Sequence, residues 1–126
     1  MRANTAYAAY SQNNVSIESP EKLIEMLYEG ILRFSAQAKI SIESRNIEKK
    51  TYWINRATAI FAELINSLNY TDGTVAHYLN GLYLRQIQLL AEANLQNNVA
   101  PIDEVLNVTR QLLEAWKETT KINAMD

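Results

Sequence analysis

Chemistry at a protein surface needs particular side chains at particular spacings, and this sequence offers few of them. There is no Cys, so thiolate nucleophiles, disulfides and Cys-based zinc or iron–sulfur sites are excluded together. His77 is the only imidazole. One His cannot furnish the two Glu-x-x-His pairs of a carboxylate-bridged di-iron bundle, and no orienting triad surrounds it. It reads as a partly exposed structural residue. The carboxylates fall where helices begin: Glu18 and Glu21 near one start, Asp103 and Glu104 near another, where they complement the positive helix end. Nothing separates their pKa values as acid–base catalysis requires. Glu48-Lys49-Lys50 reads as a solvated run, and Gly30, Gly73 and Gly81 stand alone, so no phosphate-cradling loop exists. No catalytic, metal-binding or cofactor-binding set emerges, and the expectation is a protein that is not an enzyme.

The elements that would position any site are helical. The chain has 126 residues, 48% hydrophobic and 21% charged, which suits one domain with a real core. Three Gly and two Pro leave little material for hairpins. Ser19 is a good N-cap, Pro20 fits the first helical position, and Leu23, Leu27, Ile31, Phe34 and Ala38 recur at steps of three and four. This first helix is predicted to end near Arg45. Asn46 opens a second helix carrying Trp53, Ile54, Ala57, Ile60, Phe61, Leu64 and Leu68. Residues 69–74 form the clearest turn. A third helix spans Val75 to about Gln96, Asn97-Asn98 break it, and Pro101 restarts a fourth whose pattern fades after Lys117. The fold predicted is all-α, an antiparallel four-helix bundle over residues 19–120, with a polar tail at 121–126 and a short N-terminal helical or extended segment (residues 1–18) docking on it.

The formal charge of −2 advertises neither nucleic acid nor acidic lipid. No window approaches the ~20 apolar residues of a membrane span, and the N-terminus lacks the apolar stretch of a signal peptide, so a soluble cytoplasmic protein is expected. What remains is surface shape. The apolar arcs are wider than neighbour packing needs, and Met26, Ile40, Leu84 and Leu95 fall outside even the wide arc. They are candidates for a docking groove for an amphipathic helix, against the bland reading of isolated exposed side chains. Gly30 and Gly81, each inside a helix, read first as close helix approach and second as clearance for a bound segment. Tyr7 and Tyr10, three apart in the leading segment, with Val15 beyond, either cap the bundle permanently or fill a groove reversibly.

The order Tyr7-Ala-Ala-Tyr10, Val15, then Ser19-Pro20-Glu21-Lys22-Leu23-Ile24-Glu25-Met26-Leu27-Tyr28-Glu29-Gly30, resembles the opening of the flagellar secretion chaperone family FliS. The likeness continues through Ala36 and Ala38, Ile54-Asn55-Arg56-Ala57, Leu79-Asn80-Gly81-Leu82-Tyr83, Ala93-Asn94 and Leu113-Glu114-Ala115-Trp116, covering residues 4–118. The first helix looks most like the epsilonproteobacterial branch, and Ala6 stands where many relatives have Pro. The resemblance implies a cofactor-free cytoplasmic chaperone that binds the C-terminal region of flagellin. Such a chaperone blocks premature polymerisation and keeps the subunit fit for flagellar type III export. It also implies that Tyr7 and Tyr10 plug the client surface, and that a co-chaperone and the export apparatus are further partners. A regulatory or adaptor bundle with another protein client is the rival reading. Surplus apolar surface allows either a monomer or a weak homodimer.

Overall fold

The computed structural model describes residues 19–125. Four α-helices and one short 3-10 turn account for the ordered elements: α1 (Pro20–Glu43), α2 (Ile47–Asn66), the 3-10 turn Tyr70–Asp72, α3 (Thr74–Gln96) and α4 (Ala100–Met125). The boundaries have local causes. The Ser19 side chain accepts from the Lys22 N–H at 3.1 Å, with Pro20 at the first helical position. Asn46 does the same for the Lys49 N–H at 3.1 Å, so both predicted caps hold. Between them Arg45 turns the chain at φ 58°. Gly73 opens α3 at φ 99°, a value at which L side chains are strained, and Asn97 closes it in the left-handed conformation.

The helices pack as a ring, α1 on α2 and α4, α3 on α2 and α4, while the diagonal pairs α1–α3 and α2–α4 do not approach through their backbones. Lys39 on α1 reaches Asp103 on α4, and Trp116 near the other end of α4 reaches Glu21. Such pairings fix the antiparallel course. The core runs through Leu23, Leu27 and Ile31 of α1, Ile54, Phe61 and Leu64 of α2, Leu89 and Leu90 of α3, and Ile102 and Val105 of α4. This is the predicted all-α bundle. The docking of residues 1–18 lies outside the described residues.

Two readings are corrected. The fourth helix continues to Met125 although the apolar pattern fades after Lys117, because backbone hydrogen bonding outlasts the buried face. Lys50 is buried, not solvated: its ammonium donates to the Asn94 carbonyl at 2.9 Å and the Asn97 side-chain oxygen at 2.6 Å, at the negative end of α3. Phe34 and Trp116 are half-buried and pack against the core.

Candidate functional site

The predicted chemistry-bearing residues stay dispersed. His77 is exposed beside Tyr70, ring centroids 4.8 Å apart. Asp103 and Glu104 are exposed, and Asp103 pairs with Lys39 at 2.7 Å. That bond raises the Lys39 pKa. Among the described residues, no three His, Cys, Asp or Glu side chains gather where a metal could sit.

The binding candidates sort by helix. Tyr7, Tyr10 and Val15 lie outside the described residues. Met26 is half-buried and packs against the core, which overturns its placement as an exposed side chain: a position on the flank of the apolar arc is partly covered by the packed bundle. Ile40 is 55% exposed on α1, Leu84 46% and Leu95 83% exposed on α3. Because α1 and α3 are diagonal in the ring, Ile40 does not share a groove with Leu84 and Leu95.

The outer face of α3 is unusual. At about 100° per residue, His77, Gly81, Leu84, Gln88, Ala91 and Leu95 form one ridge about 27 Å long. All six are exposed, and none is Asp, Glu, Lys or Arg. In the whole helix only Arg85 and Glu92 carry such charge. A solvent-facing helix surface is ordinarily charged, and a ridge of this length without charge is the candidate contact surface of the bundle. The two helical glycines divide here. A Cβ on Gly30 would meet Ile60 Cδ1 at 3.0 Å, so Gly30 serves close packing of α1 on α2. A Cβ on Gly81 would meet nothing within 4 Å. No internal packing explains Gly81, and the reading of close helix approach is corrected there. It keeps the ridge shallow beside Leu84.

A second apolar feature lies where α1 begins and α4 passes. An open cleft of about 440 Å³ is lined by Ile24, Leu68, Leu79 and Trp116 and floored by Tyr28 and Tyr83. The Trp116 indole N–H donates to the Glu21 carbonyl at 2.9 Å and so forms one wall. The two phenols hydrogen-bond at 2.6 Å. Burial raises the pKa of both, and for Tyr83 the neighbouring phenol adds to the rise. Sequence periodicity did not find this cleft, because its lining joins residues of all four helices and periodicity treats each helix alone. Pro20, the first residue of α1, is part of its lining.

A ring of four amphipathic helices with a long uncharged ridge on one of them defines a helical bundle. The comparisons with known proteins narrow this. The chain belongs to the FliS family: the family model described as flagellar protein FliS matches residues 3–123. It is 63% identical over 119 residues to the flagellar secretion chaperone FliS of Campylobacter jejuni, covering 94% of this chain and 93% of that one. It is 30% identical over 126 residues to the FliS of Bacillus subtilis (100% and 94% covered) and 31% identical over 116 residues to that of Salmonella typhimurium (90% and 86%). Both carry the same chaperone name. A chaperone is not a catalyst, in keeping with the family.

Proposed function

We propose that this protein is a cytoplasmic flagellar export chaperone that binds the C-terminal segment of flagellin, shields its apolar face from premature polymerisation and delivers it fit for type III export. The carrying observation is the α3 ridge with Gly81 at its shallow point. A helix-interior Gly costs about 1 kcal/mol relative to Ala. With no internal neighbour to accommodate, that cost is explained by a segment lying against the ridge. An amphipathic client would bury Leu84 and Leu95 while gaining no buried charge, a complementarity that suits helix docking on an apolar strip. Ordering a disordered client consumes about 2–5 kcal/mol of the gross interaction, which keeps the complex releasable without nucleotide hydrolysis.

The proposal extends to the leading segment. Ser19 follows Tyr10 by nine positions, a reach of up to about 30 Å, enough to return a tyrosine into the cleft beside Pro20. In this reading the client segment on the ridge continues into the cleft, which Tyr7 and Tyr10 occupy until it arrives, and apparent affinity falls by the fraction of molecules closed. Calorimetric titration with a flagellin C-terminal peptide tests the whole reading. Saturable binding that Leu95→Lys weakens supports it, and absence of binding to the full chain or to the chain lacking residues 1–15 rejects it.

A further inference from the structure

On the opposite flank from the α3 ridge, α1 and α2 build a patch of different chemistry. Phe34 stacks on Trp53 with centroids 5.5 Å apart and planes 26° apart, and Tyr52 meets Trp53 edge-on at 4.8 Å. Two guanidinium groups converge on the Phe34 ring: Arg33 at 5.1 Å and Arg56 at 4.7 Å from its centroid. Arg56 also lies 5.5 Å from the Tyr52 ring and donates to the Tyr52 hydroxyl at 3.0 Å. Both arginines are exposed, and Tyr52 is 51% exposed. Met26, Arg33 and Ile40, at steps of seven, lie along one stripe of α1, so Ile40 extends the patch by two turns.

Two observations point outward. Among the described residues neither guanidinium forms an ion pair. Two like charges drawn to one ring, with no carboxylate between them, repel each other unless an anion is supplied. The residue types are also those that anchor protein interfaces, where Trp, Tyr and Arg carry most of the binding energy. Arg stacked on an aromatic is held with its donor edge free, ready for bidentate contact with a carboxylate.

We infer that the Arg33–Phe34–Tyr52–Trp53–Arg56 patch is a second docking surface, separate from the α3 ridge, for an acidic amphipathic helix of a protein partner. A carboxylate lies between Arg33 and Arg56, a second carboxylate one turn away pairs with the free edge of either, and an apolar residue of the helix covers Ile40. The surface does not depend on the client face, so both segments bind at once.

The test uses the full chain and a synthetic 18-residue amphipathic helix bearing glutamates four residues apart beside a leucine stripe, with a glutamine version as control. Calorimetry gives affinity, and the indole N–H resonances of Trp53 and Trp116 report the site. The expected result is binding of the glutamate peptide that shifts Trp53 but not Trp116, weakens with salt, and falls at least about tenfold in Arg33→Gln/Arg56→Gln. The Arg33→Glu/Arg56→Glu variant, its fold checked by circular dichroism, should instead prefer a lysine version of the peptide. Equal binding of glutamate and glutamine peptides overturns the inference, as does full affinity in the arginine variants. So does self-association of the chain that Arg33→Gln abolishes, which would assign the patch to a second copy. Flagellin-peptide affinity, measured on the same arginine variants, stays at the unmodified value, so failure here leaves the α3 reading intact.

Discussion

The hydroxyl oxygens of Tyr28 and Tyr83 stand 2.6 Å apart and tie α1 to α3, the diagonal pair whose backbones never meet. A buried phenol that loses its partner retains its desolvation cost but not the bond. Tyr28→Phe and Tyr83→Phe are therefore each expected to lower unfolding free energy by about 1–2 kcal/mol. The double substitution should cost less than the sum, since it removes both polar groups. Urea unfolding of the four-member cycle measures this, and strict additivity would mean the hydroxyls act separately.

The same pair sets an alkaline limit. Burial raises the pKa of Tyr28 and, more strongly, of Tyr83, above the ordinary phenol value of 10.0. The folded protein thus keeps protons that the unfolded chain gives up. Stability from this source is complete below pH ~10 and declines above it, by about 1.4 kcal/mol per pH unit for each retained proton. Unfolding midpoints recorded between pH 8 and 11.5 should show that decline in the native chain and a shallower one in the double phenylalanine variant.

Lys50 carries a third expectation. Its stem is buried and its ammonium closes the end of α3 through Asn94 and Asn97. Lys50→Met preserves the stem volume and deletes the donor, leaving a helix-end carbonyl and an amide oxygen unserved. A loss of about 1–3 kcal/mol is expected in chemical denaturation, whereas neighbouring Lys49→Met, on the exposed side, should leave the midpoint nearly unchanged.

Why Lys50 escaped the sequence reading, and Ser19 did not, is a matter of range. Caps act between residues three apart, so Ser19, Asn46 and the Gly73 turn were legible, and with them helix order, length and the bundle. Lys50 is defined by Asn94, 44 residues away, and the Phe34–Trp53 and Tyr28–Tyr83 contacts likewise join helices that periodicity treats one at a time. Exposure of Ile40, Leu84 and Leu95 followed from the helical wheel, because each lies outside the apolar arc of its own helix. Met26 did not follow, because a flank position is exposed or covered according to how near the adjacent helix lies. Arc width alone also could not separate Gly30 from Gly81. Only the distance to Ile60 does.

Those two glycines give opposite predictions for one chemical change. Gly81→Ala places its methyl in open space, so it should raise stability by about 0.4–1 kcal/mol through helix propensity and a less flexible unfolded chain. Gly30→Ala forfeits that gain because its methyl presses on Ile60 at 3.0 Å. Thermal unfolding separates the two, and a stabilised Gly81→Ala would show that the native glycine is not retained for the fold.

The functional consequence is read on the same ridge. Leu84→Lys and Leu95→Lys put a charge on exposed positions that no core residue needs, so helicity and melting temperature should stay close to those of the unmodified chain. Burying that charge under an apolar client segment is costly, and affinity for a flagellin C-terminal peptide should fall by about tenfold or more. Gly81→Ala, more stable by itself, should also bind more weakly, since its methyl occupies space the client would take. Removing residues 1–15 should instead strengthen binding if the leading segment competes, while the bundle still melts cooperatively. Stability and affinity thus move in opposite directions at Gly81 and independently at Leu84 and Leu95. A purely structural role for the ridge would move them together.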